Sequence, residues 1–124
     1  MARYSKQREA IREILMGTTA HPTAAEVYME AKKVIPNISL GTVYRNLETL
    51  TGSGDAQDIR VGEFTHFDGN AKPHPHFCCN MCGRVSDLKC DMDGLFSSVE
   101  GLEGNRITST TVLFCGVCRE CSVE

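Results

Sequence analysis

Seven cysteines fall between Cys78 and Cys121 of a 124-residue chain, and two pairs of them stand in C-x-x-C spacing. The first pair is Cys79-Asn80-Met81-Cys82, followed by Gly83, and the second is Cys118-Arg119-Glu120-Cys121. Two residues between the sulfurs let a tight turn aim both thiolates at one point. Two such pairs supply the four soft ligands of a closed, tetrahedral structural zinc site. A disulfide framework is the competing use of so many cysteines, but their number is odd and the first 77 residues contain none. The 35 residues between the pairs must fold back, so zinc would tie the end of the chain onto the domain. Cys115 and Cys118 form an overlapping C-x-x-C that spacing alone leaves open. Cys78, Cys90 and Cys115 then remain as small buried or strand residues, or as thiols with redox chemistry of their own.

The cysteine-free half also differs in charge. Residues 1–62 carry eight Lys/Arg against seven Asp/Glu, and residues 63–124 carry five against nine, within an overall net charge of −3. That balance argues against indiscriminate coating of nucleic acid but allows a local basic footprint. Such a footprint is offered by Arg3, Lys6, Arg8 and Arg12, opposed over the first twelve residues only by Glu9. Charge alone does not separate this arm from a solvated helix face. No apolar run approaches the ~20 residues that span a bilayer. The first residues, MARYSKQREA, lack a secretory signal's apolar stretch, so a cytoplasmic location is expected.

Periodicity predicts three short helices in the first half. Ser5–Met16 places Ile11, Ile14 and Leu15 on one face, and Gly17 stops it. Thr23 caps a second helix, Glu26 completes a capping box, Val27, Ala31 and Val34 form its stripe, and Pro36 ends it. Ser39 caps a third, running to about Thr51 with Leu40, Val43, Leu47 and Leu50 towards the core. The alternating segment DAQDIRVGEFTHFD then predicts a hairpin turning near Val61-Gly62-Glu63. Three helices and a hairpin are the element order of a winged helix-turn-helix, whose third helix enters the major groove of DNA. The core stripe leaves Thr42, Arg45 and Asn46 on the opposite face with Tyr44 at its edge, where Arg could read guanine.

The second half predicts strands over Phe77–Leu88 and Arg106–Phe114 with a short helix over Asp93–Val99 between them. About 55 residues make a thin core that needs a metal or a partner subunit. A second donor cluster precedes the sulfurs: His66-Phe67-Asp68, then His74-Pro75-His76. Alternate residues of an extended segment point to one side, so His74 and His76 suit one metal, with Asp68 and Asp87 as hard oxygen ligands. A mixed imidazole–carboxylate set suits Fe(II), Mn(II) or Zn(II), whereas the thiolate set prefers Zn(II). A zinc-dependent enzyme is a minor alternative, since no H-E-x-x-H or H-x-E accompanies these histidines.

Taken together, HPTAAEVY, PNISLGTVYRNLETL, HPHFCCNMCGRVSD and GVCREC match in order and approximate spacing the motifs of a known family. The chain resembles the ferric uptake regulator family of bacterial metal-dependent repressors, and most closely its peroxide-responsive branch. The resemblance implies an α+β protein: a winged helix-turn-helix domain over residues 1–68, a hinge over 69–75 and a zinc-stabilised α/β dimerisation domain over 76–124. It implies structural zinc on Cys79, Cys82, Cys118 and Cys121. It also implies a regulatory Fe(II) or Mn(II) on His21, Asp68, His74, His76 and Asp87, and His21 comes from the resemblance alone. Tyr44 and Arg45 match the family's base-contacting pair, and Arg8 matches a basic residue near phosphates. The implied protein is a non-enzymatic homodimer on a palindromic DNA operator, without a membrane. Aspartate at both 68 and 87 favours peroxide sensing; the alternative within the family is an iron, zinc or manganese uptake repressor. Two departures stand out: Ser5-Lys6-Gln7-Arg8 lacks the family's proline, and the family's leading helix is expected to be missing or reduced.

Overall fold

The structure, a computed structural model, describes the backbone of residues 2–122 and the side chains of residues 6–122. Backbone contacts divide the chain into two units, Met1–Ala71 and Lys72–Glu124. Arg3 of the basic arm lies outside the described side chains.

In the first unit, local signals fix the helices. Helix α1 spans Ala2–Met16, starting before the expected Ser5 because no breaker precedes that residue. Helix α2 spans Ala24–Val34; Thr23 accepts from the Glu26 amide and the Glu26 carboxylate takes the Thr23 amide at 3.0 Å, so both halves of the capping box form. Ile35, held extended at φ −127° before Pro36, ends it. Helix α3 spans Leu40–Gly52, with the Ser39 hydroxyl accepting from the Thr42 amide. Strands β1, Gln57–Val61, and β2, Phe64–Asp68, pair antiparallel from Gln57↔Asp68 to Val61↔Phe64. Gly62, at φ +59°, occupies the left-handed turn position that glycine takes without steric cost. This is a winged helix, and its core includes Ile11, Leu15, Val27, Ile38, Val43, Leu47, Leu50 and Phe67. Replacing Thr23 with alanine is expected to cost about 1 kcal/mol. Thermal unfolding should register this as a fall of about 4 °C in the first unit's midpoint; an unchanged midpoint would show the box to be energetically idle.

Three expected orientations are corrected. Val34 and Leu40 are exposed, at 69% and 41%, because each stands at a helix end beyond the packed span. Ile38, in the α2–α3 connection, is buried. Asn46 does not share the outer face of α3 with Arg45. It lies one turn from Val43 and beside Leu47, so it is buried (5% exposed), and its amide donates to the Thr42 carbonyl at 2.9 Å.

The second unit contains strand β3, His76–Cys79, between two neighbours. Strand β4, Val85–Asp87, pairs antiparallel with it, and β5, Leu113–Gly116, pairs parallel. The predicted strand Phe77–Leu88 is therefore two strands, separated by the C-x-x-C turn whose Gly83 sits at φ +77°. The predicted strand Arg106–Phe114 shrinks to four residues, since β3 offers only His76–Cys79 as partners. Helix α4, Met92–Ser98, lies within a residue of its expected place and buries no side chain. Among the described residues, no helix is long and apolar enough to cross a membrane.

Candidate metal centres and nucleic-acid interface

The parallel pairing of β3 with β5 brings the two C-x-x-C turns to one end of the sheet. Ligand atoms of Cys79, Cys82, Cys118 and Cys121 all lie within 4.8 Å of one another, with Cys82 and Cys118 sulfurs 3.8 Å apart. Cys115 is not in this group, so the overlapping pair that spacing left open is not the one assembled. The donors around Cys79 are those of a held thiolate: backbone amides of Met81, Cys82 and Cys118 point at its sulfur at 3.4, 3.4 and 3.3 Å. The Cys82 and Cys118 amides foremost pull its pKa down to about 6, against the opposing effect of burial. Cys121 moves the other way, up to about 12, first through its hydrogen bond to Cys118 and then through desolvation. Four sulfurs this close do not ionise together unaided. A dication relieves that repulsion, and the donor set fits zinc. Arg84 and Glu120, 3.2 Å apart, tie the first turn to the second at the surface.

The other cysteines are scattered. Cys78 is buried in β3, and its thiol is pushed up by burial first and then by the sulfurs of Cys115, Cys79 and Cys82. Cys115 is exposed on β5 and Cys90 is exposed before α4, its thiol 3.4 Å from the Met92 sulfur.

Each unit contributes nitrogen and oxygen donors. In the first, His21 is the one non-glycine residue at positive φ among the described residues, at +51°. It also precedes Pro22, a position that ordinarily favours extended backbone. Bonds to β2 hold this turn: the His66 ring donates through Nδ1 to the His21 carbonyl at 2.7 Å, and the Phe67 amide to the Pro22 carbonyl at 2.9 Å. The His21 ring is thereby set with Nε2 at 3.7 Å from Asp68 Oδ2, and both side chains are buried. That separation is too long for a hydrogen bond and short enough for both atoms to reach one cation. The other Asp68 oxygen accepts the Asn70 amide at 2.9 Å. His66 stands among the sequence's candidate donors, but its positioning contact to the His21 carbonyl carries no sequence signal.

In the second unit, His74 donates through Nδ1 to the Lys72 carbonyl at 2.7 Å. Its Nε2 faces Asp87 Oδ1 at 2.7 Å, and the His76 Nε2 approaches the same oxygen at 3.3 Å. The His76↔Asp87 register across β3 and β4 makes this meeting, and the two rings lie 4.3 Å apart by centroid. With Nδ1 committed as donor, a neutral His74 points a lone pair at a carboxylate oxygen. A proton or a metal cation must lie between two such acceptors. The set fits a first-row divalent ion.

On α3, Tyr44 is 48% exposed and Arg45 is exposed, its guanidinium donating to the Thr42 hydroxyl at 3.0 Å. Thr42 is half-buried, as is Arg8 on α1. Asn46 is withdrawn from this face, as described above.

Comparison with known proteins covers nearly the whole chain. The pattern of the ferric uptake regulator family matches residues 1–114. The chain is 33% identical over 122 residues to the peroxide operon regulator of Bacillus subtilis, covering 97% of this chain and 84% of that one. It is 32% identical to the peroxide-responsive repressor PerR of Staphylococcus epidermidis, covering 98% and 83%. Among solved structures, the Campylobacter jejuni peroxide stress regulator superposes with a TM-score of 0.82 at 34% identity, covering 97% and 92%. The Helicobacter pylori ferric uptake regulator shares the fold, with a TM-score of 0.81 at 21% identity over 96% and 81%.

Proposed function

The chain belongs to the ferric uptake regulator family, and from that premise we propose that it is a metal-dependent DNA-binding repressor that responds to hydrogen peroxide. The observation that carries this reading is the separation of donors by chemistry. One closed set is all sulfur, while the imidazole–carboxylate sets are built on aspartate at both 68 and 87. The names of the relatives, a peroxide operon regulator in Bacillus subtilis and a peroxide-responsive repressor in Staphylococcus epidermidis, support it.

In this reading Cys79, Cys82, Cys118 and Cys121 hold structural zinc, and the second unit folds around it. His21, Asp68, His74, His76 and Asp87 hold one regulatory Fe(II) or Mn(II). Because His21 and Asp68 belong to one unit and the other three to its neighbour, ligation selects the arrangement in which both units contribute. A ~100-fold preference of the ion for that arrangement supplies about 2.7 kcal/mol per subunit. Iron, when bound, supplies the electron that cleaves peroxide, and manganese does not. The role of His21 and His74 is to stand beside that chemistry as the groups oxidised. An imidazole that has gained oxygen is a poorer ligand, and the selected arrangement is lost. Tyr44 and Arg45 read bases, with Thr42 holding the Arg45 guanidinium, and Arg8 meets phosphate. Val99 and Ile107, both more than two-fifths exposed in the second unit, supply apolar surface for a second copy. Two copies present two α3 helices to a palindromic operator in the cytoplasm.

The test uses duplex DNA selected from a random pool by the Mn(II)-loaded protein. Peroxide should leave the Mn(II) form bound. It should release the Fe(II) form at least ~10-fold, about 1.4 kcal/mol, with one oxygen added to the peptide carrying His21 or His74. Release by iron removal alone, without histidine oxidation, would make the protein an iron-uptake repressor instead. Failure to select any duplex would remove the DNA-binding reading altogether.

A further inference from the structure

Three cysteines stand outside the four-sulfur cluster, and two of them are partners on neighbouring strands. Cys78 of β3 and Cys115 of β5 are register partners in a parallel pair. Neighbouring strands run about 4.8 Å apart, inside the 4.4–6.8 Å Cα separation that a disulfide requires. Register partners in a sheet point to the same face, whereas Cys79, next in sequence, points to the other. Cys90 lies outside the sheet, so Cys115 is the partner that the topology gives Cys78. Burial divides the roles: Cys78 is 1% exposed on the central strand, while Cys115 is exposed on an edge strand.

We propose that Cys78 and Cys115 form a dithiol that hydrogen peroxide oxidises to an intrachain disulfide while the four-sulfur cluster keeps its zinc. The Cys115 thiolate attacks one oxygen of the peroxide. An S–O bond forms, the O–O bond breaks, and hydroxide leaves to be protonated to water. Cys78 sulfur then attacks Cys115 sulfur, forming S–S as S–O breaks. The second hydroxide departs as water with the proton that Cys78 gives up. Two thiols are oxidised and one peroxide becomes two waters, with no metal taking part. The bridge joins the two strands that lead into the two C-x-x-C turns, so it staples the same pair of strands that zinc holds. This step is independent of the regulatory ion, and it stands or falls apart from the proposed function.

The experiment treats the full-length chain, loaded with zinc and Mn(II), with hydrogen peroxide and reads native mass, alkylatable thiols after unfolding, and the linked peptides. The expected product is about 2 Da lighter, retains its zinc, has two fewer titratable thiols than the seven of the reduced chain, and yields one link, Cys78 to Cys115. Cys115→Ser should lose no thiols in this way. Cys78→Ser should stop at a Cys115 sulfenic acid that a cyclic 1,3-diketone traps. Should Cys78→Ser fail to fold, the Cys115→Ser comparison decides alone. Zinc release accompanying the mass loss, a link to any of the four cluster cysteines, or a Cys115–Cys115 link between chains would each overturn the proposal.

Discussion

Cys79→Ser is expected to leave the chain with essentially no bound zinc and with the second unit unfolded, while the winged helix keeps its helices. Cys79 is the most committed of the four sulfurs. It accepts three backbone amides, and those amides come from both C-x-x-C turns. A serine oxygen neither ionises at neutral pH nor fills the sulfur's place among these donors. The core that would otherwise hold the unit is slight: among the described residues its buried apolar side chains are Pro75, Cys78, Cys79 and Val85, and α4 buries none. Binding of a structural zinc is therefore largely the folding free energy of this unit. Zinc content by elemental analysis should fall from about one per chain to near zero, and limited proteolysis should cut residues 72–122 while sparing 6–68. A variant that still carried a full equivalent of zinc would show that another cysteine, Cys78 or Cys115, had taken the vacant place. The assignment of the four ligands would then need revision.

The second large effect is expected at Asp87. Its Oδ1 is met by both His74 and His76, so Asp87→Ala removes the acceptor on which two imidazoles converge. Mn(II) affinity should fall by at least ~100-fold, about 2.7 kcal/mol, and Mn(II)-dependent DNA binding should fall with it. Zinc content should stay at about one per chain, since the sulfur cluster uses none of these atoms. Isothermal titration with Mn(II) and an anisotropy titration with selected duplex measure the two effects. If DNA binding persists at full strength while Mn(II) affinity is lost, ion occupancy and DNA recognition are not coupled, and the regulatory role of this set fails. His66→Ala makes the subtler companion. It leaves every proposed ligand in place but removes the donor to the His21 carbonyl, so any loss of Mn(II) affinity reports how far that turn must be held.

Much of the first unit was legible because its signals are local. Thr23 with Glu26, Ser39, Gly17 and Pro36 act within four residues of themselves, and the helices begin and end where these place them. The donor chemistry was legible for a similar reason: two residues between cysteines is a property of a turn. The sequence pattern misjudged what depends on neighbours in space. Asn46 carries a polar side chain at a position that the packing of α3 buries, and its own hydrogen bond to the Thr42 carbonyl makes that affordable. The Thr- and Val-rich stretch before Leu113 has strand propensity throughout, yet β3 is four residues long and pairs no more of it.

The amino-acid order by itself determined the helices, the wing turn at Gly62, and the supply of four thiolates and a carboxylate–imidazole set, because each depends on residue chemistry and short spacing. Tertiary structure decided which sulfurs meet, since the parallel register of β3 and β5 gathers Cys118 and Cys121 with the first pair and leaves Cys115 opposite Cys78. It also decided that His21 turns through a left-handed backbone to face Asp68, a conformation that costs energy locally and persists because β2 bonds the carbonyls of His21 and Pro22.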